Sequence, residues 1–213
     1  MNDCINYCIW FDIWDNMKYI TSAKHLEIVM NYEEIEQWLI QHNIKKYTIT
    51  DELIVDVAGD VDLFGQGLKE IPVRFGKVNG CFDISCNKLT SLRGSPHVVF
   101  EFNCSNNKLT TLLYGPIIVI RYYVCYHNNL SSLLGAPKRV GGCFDCSYNN
   151  LTTLNHFPEY IAYTTTVDRN KLQVTEETEQ AWIAAIKNSS LVYQYIREPN
   201  TQLTSLHKFL YEI

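Results

Sequence analysis

The chain has 213 residues, of which 46% are hydrophobic and 19% charged, a composition that excludes a disordered or mainly solvating segment. A formal net charge of −5 and a pI near 5.7 argue against a general nucleic-acid binder and against a protein of the membrane surface. Eight cysteines then need an explanation, which could be disulfides, metal binding or packing.

Residues 1–56 are predicted to form a separate helical and hairpin cap. Asp3 and Asp12 interrupt the apolar start of the chain, where a secretory signal would carry a basic residue and then an unbroken apolar run. No stretch of the sequence is long and apolar enough for a membrane-spanning helix. We therefore expect a cytoplasmic protein that has no membrane partner and whose cysteines stay reduced.

An apolar stripe at helical spacing lies near the N-terminus, at Trp10, Ile13 and Trp14. We expect this stripe to pack over the first unit of the repeat array that follows. The alternative is a possible second interface, either a dimer contact or an anchor for another protein. A short helix is also predicted near Ser22 to Met30.

A further helix is predicted to begin after Asn31, because asparagine caps helix N-termini and acidic residues follow it. Ile35, Trp38 and Leu39 supply the apolar stripe of this helix. The segment from Tyr47 to Val57 is predicted to form a β-hairpin that turns at residues 50–52 and leads into the repeats.

Residues 57–172 are internally repetitive, and the repeat decides the fold class. A tripeptide that ends in leucine recurs at spacings of 20, 21, 21 and 21 residues. Its copies are Asn87-Lys88-Leu89, Asn107-Lys108-Leu109, Asn128-Asn129-Leu130, Asn149-Asn150-Leu151 and Asn170-Lys171-Leu172, with Gln66-Gly67-Leu68 one period earlier. We number the positions of each repeat from this Asn or Gln, so that negative positions precede it.

Three apolar positions of the repeat agree between the copies. Position −9 holds Val57, Val78, Val98, Val119, Val140 and Ile161. Position −5 holds Val61, Phe82, Phe102, Tyr123, Phe144 and Thr165. Position −3 holds Leu63, Ile84, Cys104, Cys125, Cys146 and Val167. Positions −5 and −3 point to the same side of a strand, because strand side chains alternate, and they are predicted to face inward.

This pattern resembles the short leucine-rich repeats, with a period of about 20 residues, of bacterial and bacteriophage proteins. The likeness includes the phrase from Val140 to Ser147, and the opening stretch resembles the start of such arrays in uncharacterised tailed-phage proteins. It implies an α/β leucine-rich-repeat solenoid of about six coils, with a parallel β-sheet on its concave face and helical N- and C-terminal caps. Such a scaffold serves many kinds of partner.

The Asn of each repeat is expected at the end of a strand, where its amide can bond backbone groups of its own coil and the next one. Repeated from coil to coil, these bonds would form an asparagine ladder. One coil cannot bury its own apolar face, so the coils must stack and the two ends must be capped.

Residues 173–213 are predicted to form the C-terminal cap from helices. The first helix begins at Thr175 and carries Trp182, which we expect to close the last coil. A second is predicted from Ser190 to Arg197 and a third from Ser205 to Ile213.

The cysteines are better explained by packing than by chemistry. Cys104, Cys125 and Cys146 stand in the inward column at position −3, where buried cysteine acts as a small apolar residue. Cys143 and Cys146 are three residues apart on a strand and face opposite sides, so they cannot chelate one metal ion. We find no catalytic set of residues and expect neither enzymatic activity, nor a cofactor, nor a metal.

Positions −6, −4 and −2 are predicted to be exposed and to line the concave face, which we call the strand face. Six of its eighteen residues are acidic and none is basic, and two tyrosines lie near its middle. The residues predicted to bind a partner are Asp60, Asp62, Phe64, Asp83, Glu101, Tyr122, Tyr126, Asp145 and Asp168. The alternative is a solvated sheet face on which Asp at position −4 belongs to the repeat itself.

The sequence therefore predicts a protein–protein interaction module that is not an enzyme. Its partner would be a protein with a basic surface, while nucleic acid is disfavoured because phosphates would meet carboxylates. The resemblance to phage repeats suggests an inhibitor or modulator of a host protein in the host cytoplasm, such as a defence or nucleic-acid-processing factor. The alternative is a structural component that self-associates, as a homo-oligomer, through its caps.

Overall fold

The computed structural model describes residues 30–172 and the pair Tyr193–Gln194. These residues form a parallel-strand β-solenoid of about five turns, preceded by one helix. The predicted solenoid repeat is thus confirmed, although the structure has about five turns where about six coils are predicted. The apolar stripe at Trp10, Ile13 and Trp14, the helix before Met30 and the helices begun at Thr175 and Ser205 lie outside the described residues.

The elements follow the repeat. The helix α1 spans Tyr32–Gln41, and the hairpin strands are β1 (Tyr47–Ile49) and β2 (Ile54–Val57). The solenoid strands are β3 (Val61–Asp62), β4 (Arg74–Asp83), β5 (Val98–Asn103), β6 (Ile118–Val119), β7 (Tyr123–Val124), β8 (Arg139–Val140), β9 (Phe144–Asp145), β10 (Tyr160–Ile161), β11 (Thr164–Thr166) and β12 (Tyr193–Gln194). The main sheet runs in the order β1-β2-β4-β5-β7-β9-β11-β12, and every pairing after β1 and β2 is parallel.

Helix α1 begins where the sequence predicts. The Asn31 side chain accepts a hydrogen bond of 3.0 Å from the backbone N–H of Glu34, and the Glu34 carboxylate accepts one of 2.9 Å from the Asn31 N–H. This reciprocal pair satisfies two donors that the first helical turn would leave free. Ile35 and Leu39 are buried, and Trp38 packs edge-on against Phe75.

The predicted hairpin is also confirmed and starts the sheet. β1 and β2 pair antiparallel, with Tyr47 opposite Val57. β2 then pairs parallel with β4, where Val57 lies beside Val78 of the next coil. The hairpin therefore supplies the first strand onto which the parallel sheet is built.

The predicted asparagine ladder is present at all five Asn positions of the array. Asn128 shows the arrangement: its Oδ1 accepts the N–H of Leu109 at 3.0 Å, and its Nδ2 donates to the carbonyls of Cys104 at 3.0 Å and Cys125 at 3.1 Å. The neighbour that each Asn contacts is the preceding coil, not the following one. The same bonds are made by Asn87, Asn107, Asn149 and Asn170.

A residue with left-handed backbone conformation precedes each Asn, three residues after the strand ends. Cys86, Asn106, His127, Tyr148 and Arg169 all have φ between 51° and 57° at this position. Side chains other than Gly, Asn and Asp rarely adopt such values, because Cβ approaches the backbone. The bend therefore belongs to the repeat and is kept even where the residue type disfavours it.

The inward columns are buried as predicted at positions −5 and −3 in all six repeats. Along position −5 the rings of Phe82, Phe102, Tyr123 and Phe144 stack, with centroids 5.3 to 5.8 Å apart. Such offset stacking adds to the stability gained from burial. The core is therefore a continuous apolar ladder inside the solenoid.

The column at position −9 needs one correction. Val98 was predicted to stand there, but it is only half-buried, while Val99 is buried and pairs with Val78 and Val119. The physical reason is the shorter spacing of 20 residues in this repeat. The missing residue lies between positions −9 and −5, so the register shifts by one to keep a valine in the core.

The predicted helix from Ser190 to Arg197 is wrong at its centre. Tyr193–Gln194 form β12, which pairs parallel with Thr164 and Thr165 of β11. Without β12, backbone N–H and C=O groups at the edge of the last coil would lack partners. An extended segment can pair with these groups, whereas a helix cannot.

We expect Asn128→Ala to lower the free energy of unfolding by about 3 kcal/mol, because buried backbone groups of two coils lose their partners. Urea denaturation followed by circular dichroism measures the change. Gln66→Ala is the matched control, since Gln66 is exposed at the same repeat position and makes a single 3.4 Å bond to Asp62. Equal losses in the two variants would contradict a stabilising ladder.

We expect Tyr123→Phe to raise the free energy of unfolding by about 1 kcal/mol. Burial raises the pKa of Tyr123 far above its ordinary value, and no nitrogen or oxygen within the described residues bonds its hydroxyl. The Cys104 thiol interacts with that hydroxyl, but sulfur is a weak partner. The same denaturation measurement applies, with the exposed Tyr163→Phe as control; a loss of stability at Tyr123 would show that its hydroxyl is satisfied.

Candidate functional site

The predicted partner-binding residues all lie on or near one face, but their exposure differs. Asp60, Asp62 and Phe64 are exposed, and the Phe64 side chain is 57% accessible. The members that are half-buried are Asp83, Glu101, Tyr122, Tyr126, Asp145 and Asp168. The strand face is therefore most open at the first coil.

Three serines of the strand face were predicted to be exposed and are buried instead. Ser85, Ser105 and Ser147 occupy position −2, with at most 5% of their surface accessible. In each, the hydroxyl donates to a side-chain oxygen at position −4 of the same coil. This bond turns the serine down onto the strand and removes it from the surface.

The polar residue at position −4 caps the end of its strand. Oδ1 of Asp83 accepts the backbone N–H of Ser85 at 2.8 Å, and Oδ1 of Asp145 accepts that of Ser147 at 2.9 Å. Asn103 makes the same bond to Ser105 at 3.1 Å. Side chains of Asp and Asn often bond the backbone two residues on. Because an amide serves as well, the cap needs an oxygen and does not need a charge.

Asp60 has a different structural contact. Its Oδ1 accepts the backbone N–H of Cys81 at 2.8 Å and so joins the first coil to the second. The Cys81 thiol lies among several carboxylates. Burial, together with the charges of Asp83, Glu101, Asp60 and Asp62, raises its pKa to about 12. Four carboxylates from the first three coils therefore act on one thiol.

Sequence reasoning missed Arg121, which lies one position outside the strand face and folds onto it. Its guanidinium lies 3.1 Å from the Glu101 carboxylate and donates a 2.8 Å bond to the Tyr122 hydroxyl. It also covers the Tyr122 ring, 4.6 Å from the centroid, and approaches Phe100 at 5.7 Å. The middle of the face therefore carries a cation, which neutralises Glu101.

Sequence reasoning also missed two partners of Tyr126. The Tyr126 ring meets His127 edge-on at 5.5 Å, and His127 stacks on Tyr148 at 4.4 Å. His127 and Tyr148 occupy the same left-handed position in successive coils. The presence of two aromatic side chains one repeat apart was the feature of the sequence that could have predicted their contact. The predicted central aromatic spot consists of two groups, one around Tyr122 and one around Tyr126.

Other kinds of evidence do not identify the face. Within residues 30–172 and 193–194, no group of three or more His, Cys, Asp or Glu side chains could hold a metal ion. In the same part of the chain, no helix is long and apolar enough to cross a membrane. Comparisons of the chain with models of protein families, with curated proteins and with solved structures find no match.

We expect the Cys81 thiol to react with iodoacetamide about 1000-fold more slowly in the folded protein than in the denaturant-unfolded chain at mildly alkaline pH. The thiolate is the reactive form, and a pKa near 12 makes it scarce. Peptide mass spectrometry measures the rate at Cys81 alone.

Asp60→Asn with Asp83→Asn should accelerate the folded-state reaction several-fold, because the amides keep both Oδ1 acceptors while two charges disappear. Asp51→Asn is the control, since Asp51 is not among the charges that act on Cys81. An unchanged rate in the double variant would show that burial alone protects the thiol.

Proposed function

We propose that this protein is a leucine-rich-repeat solenoid that binds a basic protein partner through the strand face and performs no chemistry of its own. The observation that carries the proposal is that the strand face holds more negative charge than its hydrogen bonds require. Asn103 shows that the cap at position −4 works with an amide, yet Asp62, Asp83 and Asp145 fill that position with carboxylates.

The charges are also mostly unneutralised. Within residues 30–172, Glu101 is the acid of the strand face that pairs with a cation, through Arg121. Asp60, Asp62 and Asp83 lie close enough together to act jointly on Cys81. These like charges repel one another, which lowers the stability of the fold. A partner with a positive surface would relieve the repulsion, and its binding would be favoured for that reason.

The tyrosines suit such an interface. Tyrosine and arginine are the residue types that most often dominate binding energy, and carboxylates around them steer a basic partner into place. Arg121 is held on the rings of Tyr122 and Phe100, so this group is ordered before any partner arrives. Ordering in advance lowers the entropy that binding would otherwise cost.

The leucine-rich-repeat type is supported by the leucine columns and the asparagine ladder. Its resemblance to phage repeats favours a role as an inhibitor or modulator of a host protein in the host cytoplasm. We propose a defence factor or a nucleic-acid-processing factor as the partner, because a protein that binds nucleic acid carries a basic surface and the strand face is acidic.

The test is capture of proteins from a bacterial lysate on the immobilised chain. In the face variant, Asp60, Asp62, Asp83 and Asp145 are each changed to Asn, which keeps the backbone caps. The control variant loses the same charge from exposed positions elsewhere, by Asp51→Asn, Glu52→Gln, Glu70→Gln and Glu159→Gln. We expect basic proteins to be retained by the wild type and the control but lost from the face variant.

Equal retention by the face and control variants would overturn the strand-face proposal. Light scattering of the purified chain separates the alternative, a self-associating structural component. A concentration-dependent oligomer that retains no basic protein would favour that alternative.

A further inference from the structure

Tyr126 is half-buried, and the residues beside it in its row on the strand face are small. Its neighbours at position −2 of the adjoining coils are Ser105 and Ser147, both buried. Small, inward-turned neighbours leave no side chain of the same row against the Tyr126 ring. His127 meets the ring edge-on, and the stacked pair of His127 and Tyr148 forms a wall beside it.

Two carboxylates lie beside Ser147, the residue next to Tyr126 in its row. Asp145 lies on the next strand, because Val124 pairs with Asp145, and Asp168 lies one strand further on, because Thr166 pairs with Asp145. Within residues 30–172 the Asp168 carboxylate makes no hydrogen bond or ion pair. Parallel strands lie about 4.8 Å apart, so Tyr126 and Asp168 bound a gap of about 10 Å over Ser147.

Within residues 30–172 neither carboxylate forms an ion pair, and the charge of Asp168 acts on Asp145. Burial raises the pKa of Asp145, and the charge of Asp168 raises it further. The Ser147 bonds and the nearby His127 oppose this rise without removing it. A cation placed over Ser147 would satisfy both carboxylates.

We propose that this seat, formed by Tyr126, Asp145 and Asp168 over Ser147, receives an arginine side chain of a protein partner. The inference deepens the proposed function and rests on it. The negative charge of the two carboxylates favours a cation, and the Tyr126 ring favours a cation that can stack on it. A planar guanidinium stacks on a ring and forks to carboxylates, whereas a lysine ammonium does neither as well.

The protein itself shows this pairing where its own arginines reach a tyrosine. Arg121 lies on the Tyr122 ring while it pairs with Glu101. Across coils, the guanidinium carbon of Arg93 lies 4.5 Å from the Tyr114 centroid, and that of Arg139 lies 4.6 Å from the Tyr160 centroid. The seat at Tyr126 combines a tyrosine ring with nearby carboxylates, as the group around Tyr122 does, and we infer that a partner supplies the guanidinium.

The test uses a short fluorescent peptide of glycine and serine with arginine at alternate positions. Its control is the same peptide with citrulline, which keeps the shape and hydrogen-bond donors but removes the charge. Fluorescence anisotropy measures affinity at low salt, and chemical shifts of the tyrosine rings locate the contact. We expect the arginine peptide to bind and to shift the Tyr126 ring resonances.

Tyr126→Leu should weaken peptide binding by about fivefold, because it keeps apolar volume but removes the ring. Asp145→Asn with Asp168→Asn should weaken it by a similar factor of about five, since the amide at position 145 keeps the cap on Ser147. Tyr163→Leu is the matched control, as Tyr163 is an exposed tyrosine outside the strand face. Arg169 stays unchanged throughout, and circular dichroism confirms that each variant is folded.

Several outcomes would overturn the seat: no binding of the arginine peptide, equal binding of the citrulline peptide, or equal effects of Tyr126→Leu and Tyr163→Leu. The proposed function fails separately, when the lysate capture shows no dependence on the strand-face carboxylates. Charge-dependent capture that survives Tyr126→Leu would retain the function and discard the seat. Peptide binding that requires Tyr126, without charge-dependent capture from the lysate, would retain the seat and discard the proposed function.

Discussion

The side-chain amide at the end of each strand is the interaction on which the rest of this structure depends. Stacked coils leave backbone N–H and C=O groups without partners where each strand turns away, and burying such groups is costly. One Asn amide accepts from the preceding coil and donates to carbonyls of both coils. The ladder therefore fixes the spacing of the coils, and that spacing brings the inner rings into stacking distance and aligns the strand face.

The cap at position −4 explains how one residue can hold a structural and a functional role together. Its oxygen ends the strand and draws the following serine inward, which Asn103 does as well as Asp83 or Asp145. Stability alone would be served by amides, since neighbouring carboxylates repel. The charge of the residue can therefore be removed without losing the strand cap, and it is the charge that would attract a basic partner.

The availability of each tyrosine is set by what the adjoining coils place beside it. Tyr122 is covered by Arg121, which also uses the charge of Glu101. Tyr126 has small serines on both sides in its row, and on the side of the later coils lie the carboxylates of Asp145 and Asp168, which form no ion pair within residues 30–172. Two tyrosines only four residues apart therefore present different chemistry to a partner.

The sequence by itself determined the solenoid repeat, its inward columns, the asparagine ladder, the helix cap and the hairpin, because these depend on periodicity and on turn residues a few positions apart. Three features of single side chains follow only from the packing of the coils: Val99 takes the place of Val98 in the core, Ser147 is buried, and Arg121 lies on the strand face. The contact of Tyr148 with the aromatic group around Tyr126 and the strand formed by Tyr193–Gln194 depend on that packing as well. Each of these depends on a hydrogen bond, a backbone bend or a ring contact that forms when the coils stack. Periodicity places a residue on a face, but the stacked neighbours decide what that residue can reach.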